Sequence, residues 1–513
     1  YENTQLKQIQ TPEDIITFSY LNGNRVGTAS KGDENITYAY DGALVKLESL
    51  TGTLNQSLTY AYNSDFLLDS VTYAGKTFNY TYDNDALLTG AGAFTINRNA
   101  ENGLPEETSD VNWNLSRGYN LYGEVSSQNS LINGGAIASF DFSRDNNGRI
   151  TEKIETIDGV TTNHRYQYDD AGRLSKVYRN DNLVEEYRYN PGGTRNYEMN
   201  LSRGTGERSY IYSDDDPEVT VGDTTYAYDD DGFLTTKSET SQVTLYNYSL
   251  RGELLRVNLP DARIIEYQHD PLGRRIAKKI DGTIVEKYLW QGLTQLLAVY
   301  DGSDNLLMRF EYGDDRLPML MTKDGNTYYM TYDQIGSLKT VADVSGNVVK
   351  KIDYDGFGNI IADSDEEFTV PLGFAGGLRD RDTGLIKFGF RDYDPDIGRW
   401  TAKNPIFFAG GDTDIYGYVL NDPVNSVDPR GLHRWGVFSG GFHLPREFLH
   451  NTKSGLNKKY EPANPLTGAN PGNLLENSYL PQDPAHREPK NYNPSNPPNR
   501  ISPFLQLAGS GPS

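Results

Sequence analysis

Along most of the chain apolar and polar residues alternate in short runs, and each run ends in a cluster of Asp, Asn and Gly. Residues 161–177 show the unit. Tyr166 and Tyr168 alternate with polar Arg165 and Gln167, Asp169-Asp170-Ala171-Gly172-Arg173 interrupts the run, and Leu174 and Val177 open the next. Period-two alternation is the pattern of a strand with one buried face. In the interruption, Gly can take a positive φ and Asp can accept from the amides that follow it, so the chain turns back as a hairpin. This reasoning predicts hairpin tips at Asp41-Gly42 and at Gly172, and strand for at least half of residues 1–400.

The phrase returns about every twenty residues. The second aromatic of successive copies falls at Tyr20, Tyr40, Tyr62, Tyr82, Tyr122 and Phe142, with a degenerate copy around Asn99 to Leu104. It resumes at Tyr168, Tyr189, Tyr228, Tyr248, His269, Trp290, Tyr312, Tyr332 and Tyr354. A unit this short cannot bury its apolar face alone, so neighbours must pair edge to edge into a long antiparallel sheet. The predicted class is all-β. The rows of Tyr then read as ladder residues packing across strands, with a carbohydrate-binding aromatic face as the rival.

Composition sharpens this picture. Tyr numbers 37 and Gly 51 against 5 Met and no Cys, which suits short strands and tight turns and leaves little helix. Without Cys there is neither a disulfide framework nor a thiolate metal site. A net charge of −23 gives the repeats no basic face for nucleic acid. No apolar run is long enough to span a bilayer. The acidic runs Asp214-Asp215-Asp216 and Asp229-Asp230-Asp231-Gly232 lack the spacing and terminal Glu of a calcium loop and read as solvated turns.

After Leu432 the texture changes. The last 81 residues hold twelve of the 24 Pro and four of the six His, with eight basic and five acidic side chains. Such a segment is expected to be largely disordered or extended, with Phe442 to Leu449 as its one apolar stretch. His433, His443, His450 and His486 fit no compact metal-ligand spacing.

The boundary itself carries a motif, Pro423-Val424-Asn425-Ser426-Val427-Asp428-Pro429-Arg430-Gly431-Leu432. It matches the PxxxxDPxGL signature at every specified position. Upstream stand Phe374-Ala375-Gly376-Gly377, then Tyr393-Asp394-Pro395-Asp396-Ile397-Gly398-Arg399-Trp400, then Asp414-Ile415-Tyr416-Gly417-Tyr418. With these features the chain resembles the C-terminal part of Rhs/YD-repeat proteins, a group that includes Tc-toxin C subunits, polymorphic toxins and, more distantly, teneurins.

The resemblance implies a hollow β-shell, or cocoon, that encloses a variable C-terminal toxin. It divides the chain into a YD-repeat shell (1–363), a closing and autoprotease segment (364–432) and a toxin-like or cargo tail (433–513). It further implies cleavage between Leu432 and His433 by two aspartates sharing one proton. Asp428 is one of them. The other position, before Pro405, holds Asn404, and an amide can neither take up nor share that proton, so the dyad is expected to be disabled. Arg399 is a candidate to hold the dyad or the cleavage-site backbone.

No cofactor or metal is expected. The implied partners are the chain's own tail as cargo, an upstream shell subunit or secretion-system component, and an immunity protein, with a secreted, bacterial location. The rival reading is an adhesion or carbohydrate-binding scaffold, which would have no need of a cleavage dyad.

Overall fold

The computed structural model describes residues 5–213 and 219–436. The acidic run at 214–216 and the tail from 437 onward, with His443, His450 and His486, lie outside the described residues. Thirty-five strands, from β1 (Gln8–Gln10) to β35 (Ile360–Asp363), form one sheet in which each strand pairs antiparallel with the next. Helix is confined to three short 3-10 turns among the described residues, at Phe374–Gly376, Phe407–Gly410 and Val419–Asn421. None of the described helices is long and apolar enough to cross a membrane.

The repeat phrase folds by a fixed local chemistry. The Asp169 carboxylate accepts from the amides of Ala171 (3.0 Å) and Arg173 (2.9 Å), while Gly172 takes a φ of 83° and donates its N–H to the Asp169 carbonyl. Asp83, Asp145, Asp270 and Asp333 repeat this arrangement. The expected tip at Asp41-Gly42 is present, with Asp41 paired to Leu44 and Gly42 at a φ of 58°.

The aromatic just before each turn sits at a break in strand register, a β-bulge, as at Tyr40, Tyr62, Tyr168 and Tyr332. The bulge bends the strand and turns the ring across its neighbour. At many of these positions the hydroxyl donates to a main-chain carbonyl of the preceding unit, as from Tyr20 to Leu6, Tyr40 to Val26, Tyr62 to Val45, Tyr168 to Ile150, Tyr189 to Leu174 and Tyr332 to Pro318, all within 2.6–3.0 Å, whereas the buried hydroxyls of Tyr228, Tyr248 and Tyr354 find no acceptor. Trp290 makes the carbonyl bond through its indole N–H, to Arg275.

Two repeat positions differ from the sequence reading. Arg144, not Phe142, stands at the register break before the capping Asp145 and donates to the Val125 carbonyl (3.0 Å). Tyr119, not Tyr122, occupies the bulge and donates to Pro105 (2.6 Å), while Tyr122 lies in the turn at 88% exposure. The phrase Tyr119-Asn120 takes the place of Tyr-Asp, and Asn120 accepts the turn amides of Tyr122 and Glu124. Spacing of aromatics alone cannot distinguish two tyrosines three residues apart; the turn-capping Asn can.

Distant strands meet in order. Lys31 pairs with Glu253 (3.0 Å), Tyr73 donates to Phe310 (2.6 Å), Arg117 pairs with Asp314 (2.9 Å), Asn133 bonds Val344 (2.9 Å) and Asn200 bonds Asp355 (2.9 Å). Partner numbers rise together, so the two halves of the sheet run alongside each other in the same sense, as successive turns of one coil. Apolar clusters fill the contact; Leu289, Leu297 and Ala298 pack with Ile16, Phe18, Tyr38 and Tyr60. Gln295–Tyr300 is consequently buried at every position, whereas Glu34–Asp41 keeps the half-buried alternation of a sheet face.

After Asp363 the chain leaves the sheet and builds a small four-stranded one from β36 (Leu378–Arg379), β37 (Ile386–Phe388), β38 (Arg391–Asp394) and β39 (Arg399–Trp400). Phe374, Phe388, Tyr393, Trp400 and Tyr418 stack into one buried aromatic cluster. Polar anchors fix it to the large sheet: Asp392 to Arg275 (2.8 Å), Asp396 to Arg203, Arg208 and Tyr226, Tyr393 to the Phe357 carbonyl (2.7 Å), and Asn425 to Ile150 and Tyr168 (both 2.8 Å).

The tyrosine bond should be measurable on its own. Tyr62→Phe removes the donor to Val45 and should cost about 1 kcal/mol, the net value of one such hydrogen bond, read as a lower urea midpoint. Tyr122→Phe should leave the midpoint unchanged. Equal effects at both positions would contradict the assignment of Tyr119 to the repeat.

Candidate functional site

The signature segment folds back on itself. β40 (Ser426–Val427) pairs antiparallel with β41 (Trp435–Gly436), setting Val427 opposite Trp435, so residues 428–434 form the connecting loop. The peptide bond between Leu432 and His433 lies within that loop. The Gly431 N–H donates to the Asp428 carbonyl (3.2 Å), and the Phe390 N–H to the Arg430 carbonyl (2.9 Å). Two glycines are required here. Gly389 has a φ of 46° and a Cβ on it would stand 2.4 Å from the Arg430 carbonyl oxygen; one on Gly431, with a φ of 65°, would stand 2.6 Å from that of Phe388.

Asp428 and Asn404 both act on Leu432. Asp428 is buried, and its Oδ1 accepts the Leu432 N–H at 3.0 Å. Asn404, also buried, donates from Nδ2 to the Leu432 carbonyl oxygen at 2.6 Å. That carbonyl belongs to the peptide bond at which the family resemblance places cleavage. The Asn404 side chain is pre-set by its own turn: Oδ1 accepts the Ile406 N–H (3.1 Å), and its main chain bonds Ile415 and Phe407 (2.9 Å each). Gly410 makes the approach possible, since a Cβ there would come within 2.2 Å of Asn404 Nδ2 and 2.7 Å of the Leu432 carbonyl oxygen.

The arginine of the site is Arg391. Its Nε donates to the Gly431 carbonyl (2.6 Å), one Nη donates to that of Ile415 (3.2 Å), the other Nη lies 3.4 Å from Asp428 Oδ2, and the guanidinium stacks over Trp400 at 4.1 Å. Arg399, the residue singled out from the sequence, points elsewhere. It pairs with Asp414 (3.4 Å) and packs on Tyr212 and Tyr416, fastening the closing block rather than the signature loop. Strand alternation explains the difference, because β38 and β39 present their arginines to different neighbours. His433 is exposed, with its ring 6.4 Å from that of Trp435.

Burial dominates the electrostatics. It pushes the Asp428 carboxyl up to about 6, against the pull of the Arg391 cation and of the amides of Leu432, His433 and Gly431. Burial likewise lowers Arg391 to about 10, with Asp428 opposing, so the arginine stays charged at neutral pH. The site therefore has a carboxyl that titrates near neutrality beside one peptide bond, and an amide N–H polarising that bond's carbonyl. The described residues hold no cluster of His, Asp and Glu suited to a metal ion.

Comparisons with known proteins bear on this geometry. The family model described as Teneurin YD-shell matches residues 1–424. The chain is 29% identical over 322 residues to Teneurin-3 of Danio rerio, covering 58% of this chain and 12% of that protein. It is also 29% identical over 316 residues to Double-stranded DNA deaminase toxin A of Burkholderia cenocepacia (strain H111), covering 54% of this chain and 21% of that one. Among solved structures, TcdB2-TccC3 aligns with a TM-score of 0.57 at 14% identity, over 82% of this chain and 27% of that one. The Photorhabdus luminescens Tc holotoxin pore aligns with the same score and identity over 23% of its chain. The chain thus spans about an eighth to a fifth of these curated relatives, and the structural likeness is one of fold.

The raised Asp428 carboxyl has a signed consequence. Folding retains a proton that the unfolded chain releases near pH 4, so the stability tied to Asp428 is present below about pH 4 and lost as pH rises through about 6. Relative to Asp428→Asn, the protein should lose roughly 2–3 kcal/mol between those limits, whatever constant cost the variant bears from leaving Arg391 without its carboxylate. Denaturant titrations of both at several pH values measure this, and a flat difference would contradict the burial argument.

Proposed function

The chain belongs to the Teneurin YD-shell family, and on that premise we propose that it is a shell scaffold enclosing its own C-terminal segment, with a self-cleavage site after Leu432 that Asn404 has switched off. In this reading residues 1–363 are the shell, 364–432 its closing segment and 433–513 a toxin-like cargo. The likeness to a deaminase toxin and to the TcdB2-TccC3 fold supports the toxin reading over adhesion. So does the use of repeat tyrosine hydroxyls on main-chain carbonyls, which leaves them structural rather than ligand-binding.

One observation carries the cleavage proposal. Asp428 and Asn404 grip the same residue, one by its N–H and the other by its C=O. With a carboxyl at 404, a proton on it would donate to the Leu432 carbonyl from the place the amide now occupies. Asp428 as carboxylate would take a proton from a water attacking that carbon. The tetrahedral intermediate would then collapse, the C–N bond breaking as the His433 nitrogen receives a proton, to leave a Leu432 carboxylate and a free His433 amine. Asn404 preserves the hydrogen bond and removes the transferable proton, so the bond is held and polarised but not cut. Arg391, fixed on the Gly431 carbonyl and Asp428, orients the loop against both groups.

At neutral pH the present chain should run as one species, and Asn404→Asp should yield fragments of 432 and 81 residues, with the cut placed after Leu432 by mass spectrometry. Asn404→Asp combined with Asp428→Asn should stay whole, because groups that act as one unit fail together. A folded Asn404→Asp protein that remains uncut would overturn the dyad. A low-resolution solution envelope showing a solid particle would overturn enclosure while leaving the cleavage test standing.

A further inference from the structure

The bond after Leu432 divides the loop between a shell side and a tail side. On the shell side Asp428, Asn404 and Arg391 hold Gly431 and Leu432. On the tail side His433, Arg434 and Gly436 are exposed, and Trp435 between them is half-buried. Its ring packs against the closing block's aromatic cluster, which contains Phe388, Trp400, Tyr418 and Val427, and the Arg430 guanidinium lies 5.8 Å from its centre.

The backbone of Trp435 pairs with Val427, the residue before Asp428, and Gly436 pairs with Ser426. These two pairs close the neck of the loop. A ladder of two residues has few bonds of its own, so a side chain must fix its register. Trp435 can do so because a large ring buried on one face makes every other register lose that contact. A slip by one residue would set Arg434 or Gly436 opposite Val427, a charged side chain or none at all. It would also move the chain by about 3.3 Å. The Leu432 carbonyl sits 2.6 Å from Asn404 Nδ2, so such a shift takes it out of reach. Trp435 belongs to the tail by sequence and yet packs as part of the shell.

We propose that Trp435 is the positioning residue on the tail side of the scissile bond, so that self-cleavage requires an aromatic side chain at the third position after the cut. This rests on the self-cleavage reading. Its structural half, that Trp435 keeps Leu432 between Asp428 and Asn404, does not.

The structural half is measured on the present, uncut chain by amide hydrogen exchange over residues 428–435. Trp435→Ala should speed exchange there at least roughly tenfold by opening the neck, while Trp435→Phe and Arg434→Ala leave it unchanged. The chemical half is measured as the cleavage rate in the Asn404→Asp background at neutral pH. There Trp435→Ala should slow the cut roughly ten- to a hundredfold, the loss expected when reacting groups are misplaced, with Phe restoring the rate and Arg434→Ala leaving it unchanged. The urea midpoint should stay the same throughout, which separates positioning from global stability. If Asn404→Asp cuts and adding Trp435→Ala leaves the rate unchanged, or if exchange over the loop does not respond to Trp435→Ala, this inference is overturned and self-cleavage stands. If Asn404→Asp itself stays whole, self-cleavage is overturned and the aromatic requirement falls with it. Should Trp435→Ala lower the midpoint, Trp435→Leu takes its place, keeping apolar bulk without the ring, and it should also slow the cut.

Discussion

A hairpin of this length has backbone donors and acceptors along both outer edges and one apolar face, and it can satisfy neither by itself. Every other feature of the fold follows from that deficit. Each strand pairs with the next, so edges remain only at the ends of the series. The bulge before each turn curls the growing ribbon, and at many bulges a tyrosine reaches back to a carbonyl of the previous unit. Asp or Asn after the tyrosine caps the turn, which is why the Tyr-Asp pair, rather than either residue alone, is the repeated element.

Curling brings later strands beside earlier ones, and the second constraint is electrostatic. A chain of net charge −23 buries many carboxylates between its turns, most of them against a cation, while Glu185, Asp394 and Asp422 are met by neutral donors instead. Glu253 meets Lys31, Asp314 meets Arg117, and Asp396 collects Arg203, Arg208 and Lys237. These pairs specify which turn lies against which, because a shift by one repeat would strand charges on both sides.

The signature loop depends on both levels. Its residues are tied locally by the Asp428 turn and the β40–β41 pair, but Arg391, Asn404 and Gly410 approach it from other parts of the closing block, itself anchored on the sheet through Asp392, Asp396 and Asn425. Asn in place of Asp is compatible with this frame because the two are nearly equal in shape and both can donate to the Leu432 carbonyl, the acid only when protonated. What differs is proton transfer, which packing does not sense.

The sequence by itself determined the strand period, the turns and the edge-to-edge sheet, since alternation, Gly and Asp act within a few residues of where they stand. It also marked Asp428, Asn404 and Leu432 through the motif and its departure at one position. Aromatic spacing misplaced two repeats, onto Tyr122 and Phe142, because the decisive groups were the capping Asn120 beside Tyr119 and Asp145 beside Arg144. The tertiary structure alone decided that Arg391 and not Arg399 serves the loop, that Asn404 and Asp428 converge on one peptide unit, and which turns of the coil touch. These outcomes rest on contacts between residues tens to hundreds of positions apart, whose meeting is set by the curl of the whole sheet and leaves no periodic trace along the chain.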